Sequence, residues 1–142
     1  MKPEDITDDA KAAFQYLKHV AEENNCTLDD IGNPKQLLKF AAEHLPKGLH
    51  PLVALWIVDA ILENGKNIHA VLWAADSDNM SGYRSLVRYI RRLALKEFDI
   101  DIHCGENGLE VVDVEHYDAL IMSENLRQET AEECHQNDYK LQ

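Results

Sequence analysis

Four arginines on one segment, Arg84, Arg88, Arg91 and Arg92, are the side chains of this chain best suited to chemistry. A guanidinium is always charged and donates two parallel hydrogen bonds, a geometry that fits phosphate oxygens and the edge of guanine. At about 100° per residue, Arg84, Arg88 and Arg91 form a narrow helical stripe with Arg92 beside it, while Leu86, Val87, Ile90, Leu93 and Ala94 occupy a separate apolar arc. A helix built this way suits a DNA major groove or a phosphate backbone, and Ser85, with Tyr83, adds hydroxyls within reach of the same surface. The competing expectation is plainer: a solvated helix face whose arginines pair with the acidic C-terminal segment.

Carboxylates are the second resource. The chain has 142 residues, 26 Asp+Glu against 14 Lys+Arg, and a net charge of −12. The excess is uneven, with net charges of −5 over 1–33, +1 over 34–75, +2 over 76–98 and −10 over 99–142. Acidic ends and a mildly basic middle imply either two different partners or ends that fold over the middle. The carboxylates of 99–142 repel nucleic acid, whose binding rests on neutralised phosphates. Asp113, Glu115, Asp118 and Glu124 are accordingly the candidate contacts to a basic protein, as in a DNA mimic, with a solvated acidic surface as the alternative.

Metal and catalytic chemistry find little purchase. The seven histidines (His19, His44, His50, His69, His103, His116, His135) show neither HxxxH nor HExxH spacing. Cys134-His135 with Glu132-Glu133, and His103-Cys104, would meet at a metal only if the fold joined them. Asp76-Ser77-Asp78-Asn79 opens like a calcium loop, but Ser81 stands where Gly is needed and Val87 where Glu is needed. There is no GxSxG, P-loop or GxGxxG. Asp99 and Asp101 share one side of an alternating strand, which points to a solvent face rather than an acid/base pair, and Cys104 falls on the apolar side with the core. No enzyme activity, metal or cofactor is expected.

The elements that would carry these residues follow from periodicity. Thr7-Asp8-Asp9 offers a cap for a helix over 8–24, and Asn33-Pro34 opens another that stops at Pro46-Lys47-Gly48. Residues 51–64 are apolar nearly all round and predict a central buried helix closed by Gly65. A short helix over 66–75, a polar turn at Asp76-Ser77-Asp78-Asn79 and the arginine helix over 81–97 come next. Phe98, Ile100, Ile102 and Cys104 alternate with polar residues, Gly105-Glu106-Asn107-Gly108 is a turn, and Leu109, Val111 and Val112 return, so a β-hairpin is expected. From Glu115, Tyr117, Leu120, Ile121 and Leu126 permit a helix that fades into a polar tail over 129–142. Three cysteines without a CxxC pair favour a reducing compartment, no segment is apolar enough for a membrane span, and Met1–Asp5 is no secretory leader, so the expected location is cytoplasmic.

The order buried helix, short helix, turn, arginine-striped helix, hairpin resembles a winged helix-turn-helix. Leu72-Trp73 before the turn, Val87 with Ile90-Arg91-Arg92-Leu93, and Ile100-Asp101-Ile102 leading to Gly105-Glu106-Asn107-Gly108-Leu109 are similar to the output domains of bacterial response regulators and to the DNA-binding domain of the biotin repressor. The resemblance covers about a third of the chain. It implies that 82–96 is a recognition helix and 98–112 a wing, and that the protein acts as a dimer on double-stranded DNA in transcription regulation. The chain departs from the family at Leu109, where a Gly-Tyr ending is usual, and at Glu106 and Glu110, where wings often carry basic residues.

The expected architecture is therefore α+β and mostly helical: an N-terminal helical extension (1–48), a winged-helix core (49–113) of three helices plus a hairpin, and an acidic C-terminal helix and tail (114–142). The leading expectation is a small DNA-binding regulator using Arg84, Ser85, Arg88, Arg91 and Arg92. The alternative is an acidic protein-interaction module or DNA-mimic-type inhibitor that blocks a basic nucleic-acid-handling protein through Asp113, Glu115, Asp118 and Glu124.

Overall fold

The computed structural model describes residues 2–77, 80–105 and 108–140, with the side chains of Ser77, Met80 and 130–140 outside that description. The fold is α+β and mostly helical. In chain order its elements are α1 (Pro3–Glu23), α2 (Leu28–Ile31), α3 (Pro34–His44), α4 (Pro51–Glu63), α5 (Ile68–Ser77), α6 (Met80–Phe98), β1 (Ile100–Gly105), β2 (Gly108–Asp113) and α7 (His116–Lys140).

α4 is the centre, as its all-round apolar sequence requires. Val53, Ala54, Leu55, Ile57 and Val58 are buried there, against Ile6, Ala10, Ala13 and Leu17 of α1, Leu38 and Ala41 of α3, Val71 of α5 and Ile90 of α6. α1 starts at Pro3, about one turn before Thr7. Proline suits the first helical position because it lacks only an N–H that would be orphaned there. Asp5 accepts from the Lys2 amide at 3.2 Å, and Ile6 continues the buried phase of Ala10, Ala13 and Leu17. The short α2 was not expected, although Thr27 and Asp30 cap it reciprocally: the Asp30 amide donates to Thr27 Oγ1 (3.1 Å) and the Thr27 amide to Asp30 Oδ2 (2.9 Å). α3 begins at the expected place, with Asn33 Oδ1 accepting from the Lys35 amide at 2.9 Å.

The α4–α5 connection is anchored by a residue the sequence did not single out. Asp59 is fully buried, and its carboxylate accepts from the Asn67 amide (2.9 Å) and from Asn67 Nδ2 (2.8 Å). These bonds fix a chain reversal in which Asn64 (φ +54°) and Gly65 (φ +81°) both lie in the left-handed region.

β1 and β2 pair antiparallel in one hairpin, with Ile100 opposite Asp113 and Gly105 opposite Gly108. The strand starts two residues later than its alternation implies, because α6 runs through Phe98 and Asp99 turns the chain at φ +54°. Ile100, Ile102 and Leu109 bury one face of the hairpin in the main core. Gly108 (φ +80°) is obligatory there, since a Cβ would lie 2.9 Å from the Lys47 carbonyl and 3.0 Å from that of Pro46.

α7 does not fade at 129. Its backbone is helical through Lys140, and it lies along α6, where Ala119 and Leu126 enclose Leu95 in a second small core with Val114 and Met122. α6 is thus apolar on two sides, toward the main core through Leu86, Ile90 and Ala94 and toward α7 through Leu95. Among the described residues no helix is long and apolar enough to cross a membrane.

Candidate functional site

Each arginine of α6 can now be placed. Arg91 reaches the hairpin: its Nε and Nη2 donate to Asp101 Oδ1 and Oδ2 at 2.6 and 2.9 Å, a two-pronged pair against a carboxylate with only 9% of its side chain exposed. Burial alone would push the Asp101 carboxyl upward. The Arg91 hydrogen bonds and charge, assisted by His103 at 3.1 Å, outweigh it and hold that carboxyl below the usual carboxylate range. Arg91 is in turn held above its ordinary value by the hydrogen bonds it donates to Asp101. The solvent face expected for Asp99 and Asp101 is therefore corrected. Asp101 is buried because Arg91 crosses to it, and Asp99 Oδ1 meets His116 Nδ1 at 2.8 Å.

Arg88 is half-buried beside α7, with Nε 3.6 Å from Glu129 Oε2. Arg92 is half-buried too, its Nε enclosed without a hydrogen-bond partner. Its charge helps to lower the Glu124 carboxyl, although the hydrogen bond from Arg127 does most of this. Arg84 and Ser85, on the early turns of α6, are exposed, and Arg84 makes no ion pair among the described residues. Two of the stripe's arginines are thus tied by carboxylates, one is packed near another, and one points outward. Helical spacing could show the stripe but not that α7 would lie over part of it.

The acidic candidates divide similarly. Asp113 is held by Lys39 (2.6 Å) and Lys35 (3.4 Å) of α3, which draw its carboxyl below the usual range, and Glu124 is paired with Arg127. Glu115 and Asp118 are exposed and make no ion pair among the described residues. Near them lies a feature the sequence reading passed over. α7 buries Ala119, Ser123 and Leu126, so Tyr117, Leu120 and Ile121 fall on its outward side, 74%, 45% and 43% exposed. These residues indicate a helix but carry no mark of which way they face.

Little of this is suited to bond-making. Cys104 packs against the main core, and burial pushes its thiol up to about 12, so it is a neutral core thiol rather than a nucleophile. An open cleft of about 770 Å³ between α3 and β2 is lined by Lys39, Glu43, Lys47, Glu110 and Asp113 among apolar residues. No group of three His, Cys, Asp or Glu side chains among the described residues is placed to hold a metal ion. Asp78, Asn79, Glu106 and Asn107, and the side chains of Glu132, Glu133, Cys134 and His135, lie outside the described residues. Compared with known proteins, the chain matches no family model, no curated protein and no solved structure.

Proposed function

We propose that this chain is an acidic protein-interaction module, without enzymatic activity or cofactor, that binds a basic, nucleic-acid-handling protein in the cytoplasm. One observation carries the reading: two arginines of the cationic stripe of α6 are engaged within the molecule, Arg91 by Asp101 and Arg88 by Glu129, with α7 lying along α6. A recognition helix needs its arginines available to phosphates and bases. Here Arg88 and Arg91 neutralise carboxylates of the same chain, while Glu115 and Asp118 remain exposed. Net charge of −12 strengthens attraction to basic partners and opposes approach to DNA.

A second reading keeps its own observation. The helix order α4, α5, α6 followed by a hairpin accords with a winged-helix DNA-binding regulator, and Arg84 and Ser85 are exposed where such a helix would meet DNA. In that reading α7 leaves α6, freeing Arg88 from Glu129 and Arg92 from the vicinity of Glu124 while Arg91 stays on Asp101, and the protein binds as a dimer. Titrating the full chain into fluorescent duplex fragments at about 50 and 200 mM salt separates the two. The interaction-module reading expects no duplex binding at the lower salt and inhibition of a basic nucleic-acid-binding partner. Salt-sensitive duplex binding lost on Arg84→Glu would replace it with the regulator.

A further inference from the structure

The outward face of α7 has the composition of a docking helix rather than of a solvated one. Tyr117, Leu120 and Ile121 stand at i, i+3 and i+4, and Glu124 at i+7, so one helix side presents three large apolar groups within about a turn and a half. Scattered exposed hydrophobics are ordinary. A cluster at this spacing opposite an already buried seam (Ala119, Ser123, Leu126) gives α7 two apolar sides, only one of which is covered. Asp118, three residues before Ile121, borders the uncovered side, Glu115 immediately precedes the helix, and both carboxylates are exposed and make no ion pair among the described residues.

We infer that Tyr117, Leu120 and Ile121 anchor a basic amphipathic helix of a partner protein, with Glu115 and Asp118 pairing with its cationic rim. The inference deepens the interaction-module reading and rests on it. Three features select this occupant. Ridges at i, i+3 and i+4 interlock with another helix, not with an extended strand, which needs unpaired backbone groups that a helix does not offer. The acidic edge is complementary to lysine and arginine. A second copy of this chain would bring the same carboxylates and a net charge of −12 against them. Tyrosine supplies a large amphipathic contact at low entropic cost, which makes Tyr117 the expected hot spot.

The test uses the full ¹⁵N-labelled chain and two synthetic helical peptides with the same leucine face, one rimmed by lysine and one by glutamate. The lysine peptide is expected to shift amides of 115–124 and to bind about tenfold or more weakly to Tyr117→Ala/Ile121→Ala. Because both side chains are exposed, this variant keeps the native spectrum elsewhere. Glu115→Gln/Asp118→Asn is expected to bind severalfold more weakly at about 50 mM salt, with the difference shrinking by about 200 mM. The glutamate peptide is expected not to bind. Lysine-peptide shifts away from α7, or binding unchanged in the Tyr117/Ile121 variant, would overturn the docking site while leaving an acidic interaction module. Equal binding of both peptides would remove the charge argument, and self-association abolished by the variant would assign the face to a second copy. No lysine-peptide binding together with salt-sensitive duplex binding through Arg84 would overturn the interaction-module reading itself.

Discussion

Replacing Arg91 with methionine should separate a structural arginine from a ligand-binding one. The substitution keeps most of the aliphatic stem but leaves the Asp101 carboxylate buried without its two-pronged partner. Removing one partner of a fully buried pair costs about 3–5 kcal/mol. Arg91 is partly open to water, and His103 remains 3.1 Å from Asp101, so roughly 2–3 kcal/mol is expected here. Arg84→Met, at an exposed position, should stay within about 0.5 kcal/mol of wild type. Urea unfolding followed by circular dichroism reads both. The pH dependence fixes the cause. In the wild type the Asp101 carboxyl is depressed, so its stabilisation is present above the unfolded carboxylate value, near 3.9, and is lost as pH falls through the lower folded value. In Arg91→Met, burial without the guanidinium raises that carboxyl, and protonation relieves the penalty. The stability gap should therefore be widest near pH 7 and narrow toward pH 4. Equal costs at Arg84 and Arg91, or a gap constant with pH, would refute the view that this arginine serves the fold.

Three further outcomes are expected. Asp59→Ala, which strands the Asn67 amide and carboxamide beneath the α4–α5 reversal, should cost about 2–3 kcal/mol in urea unfolding, with Asp59→Asn milder because one acceptor survives. Gly108→Ala should cost at least about 1–3 kcal/mol in the thermal midpoint, since φ +80° is strained for alanine and its Cβ would press on two backbone carbonyls. Cys104, a neutral thiol with its ionisation pushed up to about 12, should resist iodoacetamide at pH 8 in the folded chain and react once urea unfolds it, as peptide mass spectrometry would show.

The readable part of the fold was local. Asn33-Pro34 and the apolar run over 51–64 state where helices begin and which one is central, because caps and all-round apolarity act within a few residues. What escaped was long-range. Asp59 looks like a polar interruption of α4 until Asn67 comes back to meet it. Asp101 alternates like a surface residue until Arg91, ten positions earlier, crosses to it. The inward contacts of α7 mix Leu126 and Met122 with the small Ala119 and the polar Ser123, while Tyr117, Leu120 and Ile121 face outward, so the usual correspondence between size and burial is partly reversed.

That reversal changes how the acidic C-terminal half is understood. A count of carboxylates over 99–142 suggests a broad negative surface, yet many of these groups are occupied. Asp99 meets His116, Asp101 meets Arg91, Asp113 meets Lys35 and Lys39, Glu124 meets Arg127 and Glu129 meets Arg88. Asp101, Asp113 and Glu129 pair with residues of the middle, so the folding of one end over the middle accounts for part of the charge. A paired carboxylate has lost part of its attraction for an external cation, so the acids with most left to offer a partner are the unengaged ones. Glu115 and Asp118 are unengaged among the described residues; Asp118 borders the uncovered apolar side of α7 and Glu115 sits just before its first turn. Charge and exposed apolar surface converge on the same two turns of helix. Neutralising Glu115 and Asp118 should therefore weaken partner binding more than neutralising Asp113 and Glu124, a difference that paired charge-neutral variants in one binding assay would measure.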